Sequence, residues 1–228
     1  MIALAALDIA GTTVEEGGAV YRALHDAVRG HGSTAEVADV ARWMGADKRT
    51  AIRSLLTIGR TTDVDTVEAA FADFERLLRT AYDETPPVAM PGVLDAFEAL
   101  RAHGAKIALT TGFSAEVTGL LLDRLGWREG DTVDAVVCTD DVPTGRPAPY
   151  MVHRAMERTG VWRATDVLTV GDTVLDLEAG SNAGAGLVIG VLSGGVPRAT
   201  LAAAPHTHLI DSVGSLPALL AEAHSGAA

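Results

Sequence analysis

Cysteine is almost absent from this 228-residue chain: Cys138 stands alone, so no internal disulfide can form. It closes the apolar run Ala135 to Cys138 and reads as a buried thiol rather than a nucleophile. Lysine is nearly as scarce. Of 18 basic residues only Lys48 and Lys106 are lysine, so chemistry that needs a side-chain primary amine has two candidates. Basic charge is in deficit as a whole, 18 Lys plus Arg against 30 Asp plus Glu, a formal charge of -12. Such a field repels polyphosphate, and no Lys/Arg stripe offsets it, so nucleic acid is not expected as a partner. No run reaches the roughly 20 apolar residues of a membrane span. The apolar opening Met1 to Leu7 has no basic leader and stops at Asp8, so the chain reads as cytoplasmic.

What remains is the composition of a globular protein, 48% hydrophobic and 21% charged. Short apolar runs recur at Ile2 to Leu7, Ile107 to Leu109, Ala135 to Cys138, Val167 to Val170 and Leu187 to Leu192. Each is followed by a polar or glycine break and a stretch with helical period, the pattern of strands alternating with helices in a parallel sheet. Val93, Leu94, Phe97 and Leu100, and then Val117, Leu120, Leu121 and Leu125, predict helices burying one face. The class is α/β. Between Val14 and Met90 the alternation fails, with no convincing strand and several helical stretches. Val64, Val67, Phe71, Phe74 and Leu78 mark a long amphipathic helix there, and the prolines from Pro86 to Pro91 punctuate the return. An inserted helical cap is expected.

In open α/β sheets ligands sit at the carboxyl ends of strands, so chemistry is sought directly after each run. Four such places carry reactive groups. Asp8 leads Ile9, Ala10, Gly11, Thr12 and Thr13; Thr111 and Gly112 follow the second run; Gly145, Arg146 and Pro147 follow the third; Gly171, Asp172, Thr173 and then Asp176 follow the fourth. A carboxylate nucleophile, a hydroxyl and a cation for phosphate oxygens, and an acidic group for a hard divalent ion make up a phosphoryl-transfer set. A helix N-cap is the plainer reading of Asp8 or Asp172 taken singly. His206 and His208, lacking partners at ligand spacing, read as a loop or strand edge, and His25 and His31 as solvated helix positions. The glycines between Gly180 and Gly195 lack dinucleotide-site spacing. Trp43, next to Met44, either lines or packs the cap loop.

The ordered set DIAGTT, LTTG, GRP and GDTVLD resembles the four motifs of the haloacid dehalogenase superfamily of hydrolases. That resemblance implies a Rossmann-like core over residues 1–14 and 90–228, with an all-helical cap over 15–89. It also implies that Asp8 attacks phosphorus to form an aspartyl-phosphate. Mg2+ would be held by Asp8, the Ala10 carbonyl and Asp172, with support from Asp176, while Thr111 and Arg146 grip phosphoryl oxygens. Phosphatases of the superfamily commonly have a second Asp two residues after the nucleophile as general acid, where this chain has Ala10. The DxAGTT form looks like the phosphonatase group, whose cap Met-Gly-x-x-Lys segment is matched by Met44, Gly45 and Lys48. In that group the lysine forms an imine with an aldehyde substrate, an electron sink that makes the acid unnecessary. Ala51 and Phe113 depart from the group, which has histidine and tyrosine there. The chain is thus similar to a phosphonatase-like branch in which Lys48 either forms the imine or binds substrate charge.

Gly11, Thr12, Met44 and Gly112 are expected to line a small phosphonate or phosphorylated substrate. A homodimer is plausible by the same resemblance. A phosphate-monoester phosphatase of phosphoglycolate type is the main alternative. A metal-independent 2-haloacid dehalogenase has no use for Asp172 and Asp176, and a non-enzymatic receiver module has no cap of some seventy residues.

Overall fold

The structure is a computed structural model that describes residues 2–43, 45–58 and 63–225. Its centre is a six-stranded parallel sheet: β1 (Leu4–Asp8), β4 (Lys106–Thr110), β5 (Ala135–Val137), β6 (Val167–Gly171), β7 (Leu187–Val191) and β8 (His208–Ile210). The order across it is β5-β4-β1-β6-β7-β8. The first five of these strands fall on the apolar runs in the sequence, and every residue of β1 and β6 is buried, as strands covered by helices on both faces require. β8 has no such signal: its three residues are only half-buried at the sheet edge, and His208 lies on it opposite Ile189.

Chain order runs outward from β1 through β4 to β5, then returns to β6 and continues the other way. β1 is therefore the point where the winding reverses, and a crevice opens there at the carboxyl ends. Register aligns the chemistry: Asp8 pairs with Thr110 on one side, while Leu7 pairs with Val170 on the other, one residue short of Gly171 and Asp172. The helices α5 (Val93–Ala102) and α6 (Ala115–Leu125) bury Val93, Phe97, Leu100, Val117 and Leu121 as their spacing predicts. Leu94 does not follow; it is half exposed on the outer face of α5.

Among the described residues, the segment between β1 and α5 carries the helices α1 (Ala19–Gly30), α2 (Val37–Ala41), α3 (Lys48–Leu56) and α4 (Val64–Glu84). α1, which buries Leu24 and Val28, packs along α4, where Phe71 and Phe74 lie with ring centroids 6.0 Å apart. Phe74 is essentially inaccessible, so truncating it to Ala would cost about 3–5 kcal/mol. Val64, at the first turn of α4, is exposed instead. His31, at the end of α1, is not simply solvated, since its Nε2 lies 2.9 Å from Asp73 Oδ2 on α4.

This segment is not wholly helical. β2 (Val14–Glu15) and β3 (Val88–Ala89) form an antiparallel pair at its base, with Val14 opposite Ala89 and Glu15 opposite Val88. Two-residue strands are too short to show alternation in a sequence. Among the described residues no helix is long and apolar enough to cross a membrane.

Candidate active site

Asp8 ends β1, and its carboxylate lies within 4.8 Å of those of Asp172 and Asp176, all three buried. The loop after Asp8 wraps tightly: the amides of Thr12, Thr13 and Val14 all donate to the Ile9 carbonyl, and Thr13 Oγ1 donates to the Asp8 carbonyl at 2.9 Å. Gly11 has φ +84, and a Cβ there would stand 2.7 Å from Asp172 Oδ2, so the turn demands glycine on both counts. The Ala10 carbonyl takes none of the backbone hydrogen bonds of this loop.

Asp172 follows β6. Its Oδ1 accepts from Thr12 Oγ1 at 3.1 Å, which spends the hydroxyl of a residue expected at the substrate. Neither Asp8 nor Asp172 caps a helix. Thr173 is the N-cap of α8 (Val174–Asn182), in a reciprocal capping box with Asp176 that fixes the Asp176 side chain.

Arg146 is the cation of the cluster. Nη1 donates to Asp8 Oδ1 at 2.7 Å and lies 2.6 Å from Asp176 Oδ1; Nη2 donates to the carbonyl and Oγ1 of Thr110 at 3.0 and 2.8 Å. Burial works to lower its pKa, but Asp176 and Asp8 outweigh that and raise it further. The contact with Asp176 Oδ1 falls outside hydrogen-bond geometry, so that buried oxygen has no donor among the described residues. Desolvation, with Asp176 adding to it and Arg146 opposing, lifts Asp8 to about 6. Burial and the neighbouring Asp8 push Asp172 well above the usual carboxylate range.

Three carboxylates facing one guanidinium leave these four groups with a formal charge of -2 when ionised. A buried Asp176 oxygen that is ion-paired but has no hydrogen-bond donor, an Ala10 carbonyl that accepts no backbone bond of its loop, and carboxylate oxygens within 4.8 Å of one another make, among the described residues, an all-oxygen donor set that fits a hard divalent cation. Such an ion would also reverse the upward pressure on the acids.

Lys48 begins α3 and reaches the same pocket, which is lined by Asp8, Ala10, Tyr21, Thr111, Phe113 and Arg146 among others. It is 4% exposed, donates to the Ala46 carbonyl at 2.8 Å, and sits 5.5 Å from the centroid of the Phe113 ring. Among the described residues it has no ion-pair partner within 4 Å; burial lowers its pKa to about 8, against the pull of Asp8 and Asp47. Thr111 is buried in the pocket wall and accepts the Phe113 amide at 3.2 Å. Gly112 lets the preceding loop approach, since a Cβ there would stand 2.9 Å from the Ala46 carbonyl. Met44 lies outside the described residues. Lys106 is remote, paired with Asp134 at 3.0 Å on the far end of β4. Cys138 is buried and its thiol is pushed up to about 11 by burial and by Asp141, the state of an inert thiol.

Five residues of the site are not singled out by the motifs above. Thr110 anchors Arg146, although only its neighbour Thr111 was singled out. Ser193 and Gly194 follow β7; Ser193 Oγ donates to the Gly11 carbonyl at 2.7 Å, and a Cβ on Gly194 would fall 1.8 Å from Asp172 Oδ2. The rule of looking just past each apolar run would have found that pair. Tyr21 and Glu16 line a second chamber of about 190 Å³ that shares Ala10, Tyr21 and Asp172 with the first pocket. No sequence pattern marked either.

A carboxylate at the end of β1, an acidic β6 terminus and an intervening helical insert match a hydrolase of the haloacid dehalogenase type. The chain belongs to the haloacid dehalogenase-like hydrolase family, whose model matches residues 2–184. It is 31% identical over 202 residues to the phosphonoacetaldehyde hydrolase of Paraburkholderia phytofirmans, covering 82% of this chain and 74% of that one. A phosphonoacetaldehyde hydrolase of Bacteroides fragilis is 33% identical over 200 residues, covering 81% and 75%. The fold is shared with the solved phosphonoacetaldehyde hydrolase-like protein of Oleispira antarctica, at TM-score 0.83 and 22% identity over 98% of this chain and 93% of that one.

Proposed function

We propose that the chain is a Mg2+-dependent phosphonatase-like hydrolase that cleaves a small phosphonate bearing a carbonyl, through an aspartyl-phosphate on Asp8. The observation that carries this reading is Lys48: a buried amine with no ion-pair partner among the described residues, in one pocket with Asp8, its pKa lowered by burial to about 8. About a tenth of it is neutral at pH 7, and only the neutral amine adds to a carbonyl.

Asp8, the Ala10 carbonyl, Asp172 and Asp176 would hold Mg2+, which when bound offsets carboxylate charge and polarises the phosphoryl oxygens. Arg146 and Thr111 orient the phosphoryl group. Lys48 Nζ condenses with the carbonyl carbon and water leaves. The carbon-phosphorus bond then breaks as Asp8 takes the phosphoryl group, and its electron pair moves into the iminium to give an enamine. Protonation and hydrolysis of the enamine free the carbonyl product and Lys48. Water hydrolyses the phosphorylated Asp8, releasing phosphate. Ala10 supports this route, because a methyl group cannot protonate an alkoxide and an enamine needs no such acid.

A monoester phosphatase is the second reading, favoured by Ala51 and by the apolar ring of Phe113 beside Lys48. The test adds phosphonoacetaldehyde with borohydride. Wild type should retain a reduced adduct on Lys48, Lys48→Arg should give none, and phosphate release should stop with EDTA. The trapping rate should rise with pH and level off above about 8, because the amine is protonated below that value and neutral above it. Absence of the adduct with phosphate monoesters still cleaved would select the second reading. Metal-independent turnover would overturn both.

A further inference from the structure

We propose that Asp47 is a positioning residue: by binding Thr139 it ties docking of the helical insert on the sheet to delivery of the Lys48 amine. The inference rests on the reading of Lys48 as the amine that meets the carbonyl.

Asp47 immediately precedes Lys48, and its two carboxylate oxygens do different work. Oδ1 accepts the Thr50 amide at 2.8 Å and caps α3, the helix that Lys48 begins. One oxygen is enough for a cap. Oδ2 accepts from Thr139 Oγ1 at 3.1 Å, across 92 residues of sequence, from the loop that follows β5.

Thr139 is itself held, because its amide donates at 3.0 Å to the carbonyl of Phe113, whose ring lies beside Lys48 Nζ. The adjoining Ala46 carbonyl accepts the Lys48 ammonium and rests against Gly112. Gly45 closes on Thr173, where a Cβ would stand 2.5 Å from Thr173 Oγ1. Residues 45–48 are thus gripped by the loops after β4, β5 and β6 together. Asp47 to Thr139 is the side-chain hydrogen bond by which this short stretch reaches the sheet loops, while Glu75 to Ser114 and Arg79 to Glu116 join α4 to the start of α6 elsewhere.

The bond borders an open cleft of about 420 Å³ lined by Asp47, Arg49, Thr139 and Asp140 among others, and it is only partly buried. It can therefore break and re-form with water as competitor. A single hydrogen bond of this kind changes the docking equilibrium constant about fivefold.

Borohydride trapping with phosphonoacetaldehyde reads the delivery of the amine, and inhibition by inorganic phosphate reads the phosphoryl pocket. Thr139→Val should slow trapping and lower kcat about fivefold, with the phosphate inhibition constant within twofold of wild type. Thr139→Ser, which keeps the hydroxyl, should restore both. Asp47→Ala also removes the cap and should be slower still, while the double variant should be no slower than Asp47→Ala alone.

Trapping by Thr139→Val at the wild-type rate, or losses that multiply in the double variant, would overturn the coupling while leaving the Lys48 reading intact. A wild type that gives no adduct overturns the Lys48 reading and the coupling with it.

Discussion

Gly194→Ala tests whether the acidic cluster holds a metal without altering any group proposed to bind one. An ideal Cβ at this position would lie 1.8 Å from Asp172 Oδ2, 2.3 Å from its Cγ and 2.5 Å from its Cβ. Carbon and oxygen that are not bonded keep about 3.3 Å apart, so the carboxylate or the loop must move by about 1.5 Å. Mg2+ ligand geometry tolerates about 0.2 Å. Disturbing a supporting contact of this kind weakens metal binding about 10- to 100-fold, or about 1.4–2.7 kcal/mol. Calorimetric titration of metal-free protein with Mg2+ reads the loss directly, and the Mg2+ dependence of phosphate release should move in parallel. Gly119→Ala is the control: it lies on the exposed face of α6 with nothing within 4 Å of its Cβ, and its Mg2+ affinity should stay at the wild-type value. A folded Gly194→Ala variant that binds Mg2+ as tightly as wild type would refute the reasoning.

Asp8→Asn keeps the volume and removes the nucleophile, so phosphate release should fall at least a thousandfold with the melting temperature almost unchanged; activity above about 1% would contradict the role. Ala10→Asp places an acid on the wall of the pocket and should raise monoester hydrolysis about 100-fold or more, measured by steady-state phosphate release. If turnover stays flat while a crystal structure shows the new carboxylate beside Asp8, position 10 does not face the leaving group. Tyr82→Phe removes a buried hydroxyl that has no hydrogen-bond partner among the described residues. Thermal unfolding should show a gain of about 1 kcal/mol, roughly 2–4 °C, and a loss would mean that the hydroxyl is satisfied in solution.

The central strands were legible because burial on both faces forces continuous apolar runs, and the site was legible because a reversing sheet order sends ligands to the ends of those runs. Asp8, Arg146, Asp172 and Asp176, far apart in the chain, meet for that reason. What was hidden depends on contacts between elements. Nothing local says that Thr12 turns to Asp172, that Thr110 rather than Thr111 holds Arg146, or that Asp47 reaches Thr139. β8 was hidden because a half-buried edge strand of three residues needs no apolar pattern. Leu94 and Val64 misled because period alone does not say where on a helix the buried stripe ends.

The small ribbon of β2 and β3 sets how this architecture can change. The chain departs at Val14 and returns at Ala89, and these two residues are direct partners, about 5 Å apart as in any antiparallel pair. The sheet therefore meets the segment between them as a graft on a narrow stem. A graft of another size can be seated on the same stem without shifting one register of the parallel sheet. Asp8, the acidic pair and the guanidinium all stay on the rootstock. Lys48 travels with the graft, so under the proposed function an exchange of this one segment would leave the groups at the strand ends whole and present them with a different class of molecule.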